Sequence, residues 1–135
     1  MDETGVRAAL THYFDFSAVH DEGVAHEIYL DDAVLEFPQS GERFDGVANF
    51  KEWRRQYPAT KVDFDVRRVR GAADVWVVEL RVRYDGGPQM YGVEILEFSG
   101  DKVAGETIYV MDAFEAPEWR SAWWAVTPHP VDGKP

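Results

Sequence analysis

Glu94 and Glu106 stand on either side of a short turn, a placement that can set two carboxyls side by side for acid/base chemistry. Each sits in a run that alternates apolar and polar side chains, and Ser99-Gly100-Asp101 turns one run into the next. A three-residue loop, Ser99 to Asp101, pairs Phe98 with Lys102 and sets Glu94 directly opposite Glu106 on one face. A two- or four-residue loop breaks this and turns Glu106 to the other side of the sheet. Two carboxyls side by side in an apolar cavity do not both ionise cheaply, because desolvation and mutual repulsion each raise a carboxylic acid's pKa. One then stays protonated near neutral pH beside an ionised neighbour. Enolisation, dehydration and aldol closure of a carbonyl compound all need that pairing of general acid and general base. The competing arrangement is a cross-strand ion pair on the outer face, with Arg81 or Arg83 matching either glutamate.

Other chemistries find less support. The chain has no Cys, which removes thiol nucleophiles, disulfides and zinc-thiolate sites together and fits a reducing compartment. His20, His26 and His129 show no spacing that suggests a metal site, and Ser17, Ser40, Ser99 and Ser121 lie in no nucleophile motif. His12 projects about 100° around a helix from its neighbour Tyr13, toward the surface or a helix interface. No cofactor or metal is expected. With 25 acidic against 14 basic side chains the formal net charge is −11, a field that repels phosphate backbones and anionic lipid. Nucleic acid and membranes are therefore poor partners. Arg54-Arg55 and Arg67-Arg68 with Arg70 read as solvated decoration. No apolar run approaches the roughly 20 residues of a membrane span, and Met1-Asp2-Glu3-Thr4 lacks a signal-peptide pattern, so a cytoplasmic location is expected.

The 135 residues suit one domain, 1–126, followed by a flexible Pro-rich tail, 127–135. From Glu3 to Val19, the residues Val6, Leu10, Tyr13, Phe14 and Ser17 recur at helical spacing and form one apolar stripe. Asp21 is placed to cap a second helix, Glu22 to Leu30. Asp45 is placed to cap a third that presents Phe50, Trp53 and Tyr57 before Pro58. From Lys61 the period changes to two. Trp76, Val78, Leu80, Val82 and Tyr84 share one parity, and turns at Asp85 to Pro88 and Ser99 to Asp101 make an antiparallel meander. Five Trp, six Tyr and eight Phe suit a core with a large apolar cavity.

The order helix, short strand, turn and second amphipathic helix, with Asp31-Asp32-Ala33-Val34-Leu35-Glu36-Phe37-Pro38 followed by Gly46, Phe50 and Trp53, resembles one known superfamily. It is that of nuclear transport factor 2, ketosteroid isomerase and the SnoaL-like polyketide cyclases. The resemblance implies an α+β fold of conical shape, a curved mixed sheet wrapped around N-terminal helices with a central pocket. Tyr13 matches the first-helix tyrosine of the isomerase, with no gap from there to Pro38, and Glu94 matches its second carboxylic acid, held neutral to stabilise an oxyanion. Phe37 stands where the isomerase keeps its proton-shuttling aspartate. The resemblance therefore implies the oxyanion pair Tyr13 and Glu94 without the usual base, and disfavours steroid isomerisation by that route. It also favours Glu106 as a replacement base on the pocket face.

The reading that follows is a cofactor-independent lyase or isomerase, cyclase-like, acting on a hydrophobic carbonyl compound. Tyr13 and Glu94 polarise the carbonyl and Glu106 moves the proton. Phe37, Trp53, Trp76, Val78, Leu96, Tyr29 and Ile108 are expected to contact substrate, with Tyr29 either bonded to Tyr13 or a core aromatic. The alternatives are a non-catalytic module that binds a hydrophobic small molecule and an assembly subunit using the exposed sheet face. A homodimer through the outer face, centred on Val75, Val77 and Ile95, is expected. Three tryptophans between Phe114 and Trp124 predict a short docked helix with Trp119 and Trp123 on its buried side.

Overall fold

A computed structural model describes residues 1–131 of the chain. Helix α1 (Glu3–Ala18) begins where the Asp2 carboxylate accepts the Gly5 N–H at 2.8 Å, and it buries Val6, Leu10, Tyr13, Phe14 and Ser17, the stripe read from the sequence. Asp21 caps α2 (Glu22–Ala25) by accepting the Val24 N–H at 3.3 Å. That helix is shorter than predicted. It tightens into a 3₁₀ turn (His26–Ile28), and Tyr29 already opens strand β1 (Tyr29–Phe37). The cause is tertiary: Tyr29 lies in register with Val103 across a parallel strand pair, and that ladder takes the backbone groups a longer helix would need.

A turn leads to β2 (Glu42–Asp45) and then α3 (Val47–Arg55). Gly46, at φ 88°, occupies the cap position in place of Asp45, whose side chain binds Arg43 instead. Strands β3 (Val62–Ala72), β4 (Val75–Tyr84), β5 (Met90–Ser99) and β6 (Lys102–Asp112) form the expected meander. The six strands order as β2-β1-β6-β5-β4-β3, all antiparallel except β1 beside β6. This is the α+β architecture the resemblance implied.

The inner face of the sheet is not filled evenly. Toward the β5–β6 turn, Trp76, Val78, Leu96, Phe98 and Val103 are buried in one cluster with Val6 and Leu10 of α1. Toward the opposite end of the same strands, Leu80, Val82, Tyr84, Met90, Gly92, Glu94, Ile108 and Val110 face a cavity. A Cβ on Gly92 would press on the Leu80 side chain at 3.2 Å, so a glycine lets β4 and β5 curve here without crowding the wall.

The C-terminal segment departs from expectation. Glu118–Trp123 is a 3₁₀ turn, and Trp119 and Trp123 are 77% and 78% exposed instead of docked. At three residues per turn, positions four apart do not share a face, so the pairing expected of an α-helix is lost. The tail expected from 127 onward carries no helix or strand as far as Val131, and the rest of that expectation lies outside the described residues. No helix among the described residues is long and apolar enough to cross a membrane.

Candidate active site

The cavity, about 310 Å³, lies between the inner face of β4, β5 and β6 and the three helices. Its walls are largely apolar, from Phe14, Phe37, Trp53, Phe64, Val82 and Ile108 among others. Among them stand the polar side chains of Tyr13, Glu94, Arg54, Glu22 and Tyr84. A small set of polar groups in an apolar wall orients a ligand more than it strengthens binding.

Both glutamates point to the inner side of the sheet, by a route the hairpin loop alone does not supply. Ser99 pairs with Lys102, so the loop is two residues, Gly100 and Asp101, where three were expected. Continued unbroken, that register would have put Thr107 opposite Glu94. Between Glu97 and Phe98 the pairing shifts by one, leaving Ala104 as an extra residue on β6. The bulge restores the parity: Glu94 faces Ile108 and Glu106 faces Leu96, diagonal neighbours on one face instead of a direct pair. Among the described residues Arg81 binds Asp65, at 2.6 Å, and neither glutamate.

Glu106 is held by two side chains. The Tyr29 hydroxyl donates to its two oxygens at 3.1 and 3.0 Å, and Arg54 Nη2 approaches at 3.5 Å. Arg54 Nη1 donates to the Tyr29 oxygen at 3.1 Å and to His26 Nε2 at 3.1 Å. A guanidinium only donates, so His26 Nε2 must carry a lone pair and the ring proton sits on Nδ1. There it faces the Glu22 carbonyl oxygen at 2.8 Å and the Glu22 carboxylate at 3.2 Å, and Ser17 Oγ donates to the same carboxylate at 3.1 Å. The guanidinium carbon also lies 5.4–5.8 Å from the ring centres of Tyr13, Tyr29, Phe50 and Trp53.

Glu94, 9% exposed, has no hydrogen-bond partner among the described residues. Burial first, and then the charge of Glu106, push its carboxyl up to about 8, against a smaller opposing pull from Arg54. Glu106 is also raised by burial, but Arg54 and the Tyr29 hydrogen bonds work the other way. Burial thus favours the protonated form of both carboxyls, and the bonds from Tyr29 and Arg54 offset it at Glu106, while Glu94 has no such bonds. Burial drives the Tyr13 hydroxyl far above its ordinary range, so it is a proton donor throughout. His26 is held neutral, chiefly by burial. Burial opposes the Glu22 charge, but the hydrogen bonds from His26 and Ser17 outweigh it and its pKa falls below the ordinary value.

Of the residues expected to contact a ligand, Tyr13, Glu94, Phe37, Trp53 and Ile108 lie on the cavity wall. Trp76, Val78 and Leu96 do not; they fill the packed end of the sheet, where Trp76 Nε1 donates to the Ala73 carbonyl at 3.1 Å. Tyr29 and Glu106 stand behind the wall. Tyr29 meets Tyr13 only ring edge to ring face at 6.1 Å, its hydroxyl being committed to Glu106 and Arg54. Arg54, Glu22 and His26 escaped the sequence reading. Their signal was present as helical spacing: Arg54 lies four after Phe50 on the apolar stripe, and His26 lies four after Glu22.

A sheet curved around one apolar cavity, closed by N-terminal helices and carrying a tyrosine and a neutral carboxyl on its wall, defines a class of small pocket proteins. The chain belongs to the SnoaL-like domain family, whose model matches residues 10–106. It is 31% identical to the steroid Delta-isomerase of Nocardioides simplex over 112 residues, 83% of this chain and 90% of that protein. An NTF-2 like protein of unknown function from Burkholderia xenovorans LB400 superposes with a TM-score of 0.83 at 40% identity, covering 93% of this chain and 98% of that one. A structure from Kribbella flavida DSM 17836, provisionally assigned as a ketosteroid isomerase, superposes at 0.79 with 24% identity, covering 96% of this chain and 94% of that one. Membership points to small-molecule chemistry of the isomerase or cyclase type.

Proposed function

We propose that this protein is a cofactor-independent isomerase or lyase acting on a hydrophobic carbonyl compound, polyketide-like or steroid-like, by acid/base chemistry in the cavity. One observation carries the reading: Tyr13 and Glu94, both uncharged proton donors at neutral pH, have no hydrogen-bond partner among the described residues and stand on an otherwise apolar wall. A carbonyl oxygen placed between them accepts two hydrogen bonds. These strengthen as the oxygen gains charge, in a site whose low dielectric magnifies the gain.

Phe37 packs against Phe44 and Trp53 at ring distances of 6.3 and 5.8 Å, so no base stands where the steroid isomerases place theirs. Glu106, behind the wall with both oxygens engaged, serves as a fixed countercharge better than as a proton shuttle. Glu94 can fill both parts in turn. It gives its proton to the carbonyl oxygen and then, as a carboxylate, takes one from the adjacent carbon, which yields the enol and regenerates the acid.

Hydrogen exchange tests this. An apolar ketone such as acetylnaphthalene, incubated with the protein in D₂O, should gain deuterium next to its carbonyl faster than in buffer, and Glu94→Gln should abolish the excess. Phe37 favours a second reading, a binding protein of the same fold. Saturable ketone binding with no excess exchange would establish that reading and reject catalysis.

A further inference from the structure

The pair of carboxyls has a proton to divide, and the fold surrounds it asymmetrically. The ionisable groups around the pair are Tyr13 from α1, Glu22 from α2, His26 from the 3₁₀ turn, Tyr29 from β1, Arg54 from α3 and Tyr84 from β4. Only Arg54 among them is a cation, because the bond from its Nη1 to His26 Nε2 keeps the imidazole neutral. Its side chain is 11% exposed, and the guanidinium reaches the Glu106 carboxylate at 3.5 Å directly and again through the Tyr29 hydroxyl, while Glu94 has neither contact.

We propose that Arg54 is a positioning residue that assigns the proton within the pair: by holding Glu106 and Tyr29 it makes Glu106 the carboxylate and leaves Glu94, on the cavity wall, as the acid. The guanidinium is itself aimed by a buried chain. Ser17 Oγ and His26 Nδ1 face the Glu22 carboxylate, His26 Nε2 receives Nη1, and Nη2 is turned toward β6. Three elements that carry no reacting group, α2, the 3₁₀ turn and α3, thus fix which of two carboxyls can donate to a ligand. A buried ion pair contributes little to stability on average and is retained where it specifies an arrangement, which is the use made of it here.

This inference rests on the donor role given to Glu94, and the test separates the two. The infrared band of protonated carboxyl groups in the intact protein at pH 7 counts the acids that remain undissociated. In wild type one buried carboxyl should be protonated, and the band should vanish in Glu94→Gln. In Arg54→Met both carboxyls lose their cation and the band should double, while Arg54→Lys should restore a single band. In Glu106→Gln the guanidinium is left facing Glu94, which should ionise, so the band should disappear. Should Arg54→Met fail to fold, Glu106→Gln and Arg54→Lys still decide the matter. One band in every variant except Glu94→Gln would overturn the role of Arg54 and leave the donor reading standing. No band in wild type would overturn both.

Discussion

Glu94 and Glu106 share the inner face of the sheet but sit diagonally, Glu94 across from Ile108 and Glu106 across from Leu96, because Ala104 bulges out of β6. One extra residue thus decides which side chain of β6 reaches Arg54. Deleting Ala104 should remove the bulge and keep Glu106 opposite Leu96, whereas Glu106→Leu should strand the guanidinium without its carboxylate. Removing one partner of a buried pair costs about 3–5 kcal/mol, and urea unfolding should show a loss of that order. A loss below about 1 kcal/mol in Glu106→Leu would mean that its pairing with Arg54 is not a buried one.

The raised pKa of Glu94 makes stability depend on pH in a set direction. Between the ordinary carboxyl value and about 8 the folded protein keeps a proton that the unfolded chain has released. The contribution is therefore whole at acid pH and is lost as pH rises through about 8. The slope for one such group is about −1.4 kcal/mol per pH unit. Unfolding free energies measured from roughly pH 5 to 8 should fall more steeply for wild type than for Glu94→Gln. Glu106 contributes with the same sign and Glu22 with the opposite one at lower pH, so the comparison with Glu94→Gln reports Glu94 together with its effect on Glu106. Parallel curves would place Glu94 in contact with water.

Phe37→Asp tests whether a missing base is what separates this chain from its steroid isomerase relative. A carboxyl between Phe44 and Trp53 should cost about 1–3 kcal/mol of stability, since it enters a corner lined by aromatic rings. In return, turnover of a steroid ketone should appear or rise at least tenfold in an absorbance assay. A folded variant with no gain would show that the cavity does not present the ketone to that position.

The apolar surface lies outside the cavity, with Val75, Tyr91 and Met111 on the outer sheet face and Phe114, Trp119, Trp123 and Val126 beyond it. We propose that a second copy covers part of this surface, as the alternation of the outer strands suggested, although Glu79 and Arg81 already pair with Arg68 and Asp65 of their own chain. Sedimentation at micromolar concentration should give twice 15.4 kDa, and truncation from Pro117 should weaken association without altering dye binding in the cavity. Monomers at that concentration would end the dimer reading.

Much of the fold was legible because local signals agreed with the tertiary answer. The α1 stripe, the Asp21 cap and the inner parity of Trp76, Val78, Leu80 and Val82 are each found as read. What failed was set by contacts distant in sequence. The second helix yields at Ala25 to a strand pairing with β6, and the bulge at Ala104 cannot be seen in a local pattern. Arg54 beside Arg55 looks like a solvated pair, and only the acids and rings of four other elements make one of them a buried cation. The direct pairing of Glu94 with Glu106 followed from a loop of the wrong length, and the bulge cancelled most of that error.

The infrared carbonyl band of a ketone bound in the cavity tests the proton-donating role of Glu94 and Tyr13 most directly. With acetylnaphthalene labelled at its carbonyl carbon, the bound band should lie below its position in hydrocarbon solvent. It should rise partway in Tyr13→Phe and in Glu94→Leu, and in wild type as pH passes about 8 and Glu94 ionises. A bound ketone with the hydrocarbon frequency, unmoved by either substitution, would contradict the assignment of this wall as a carbonyl-polarising site.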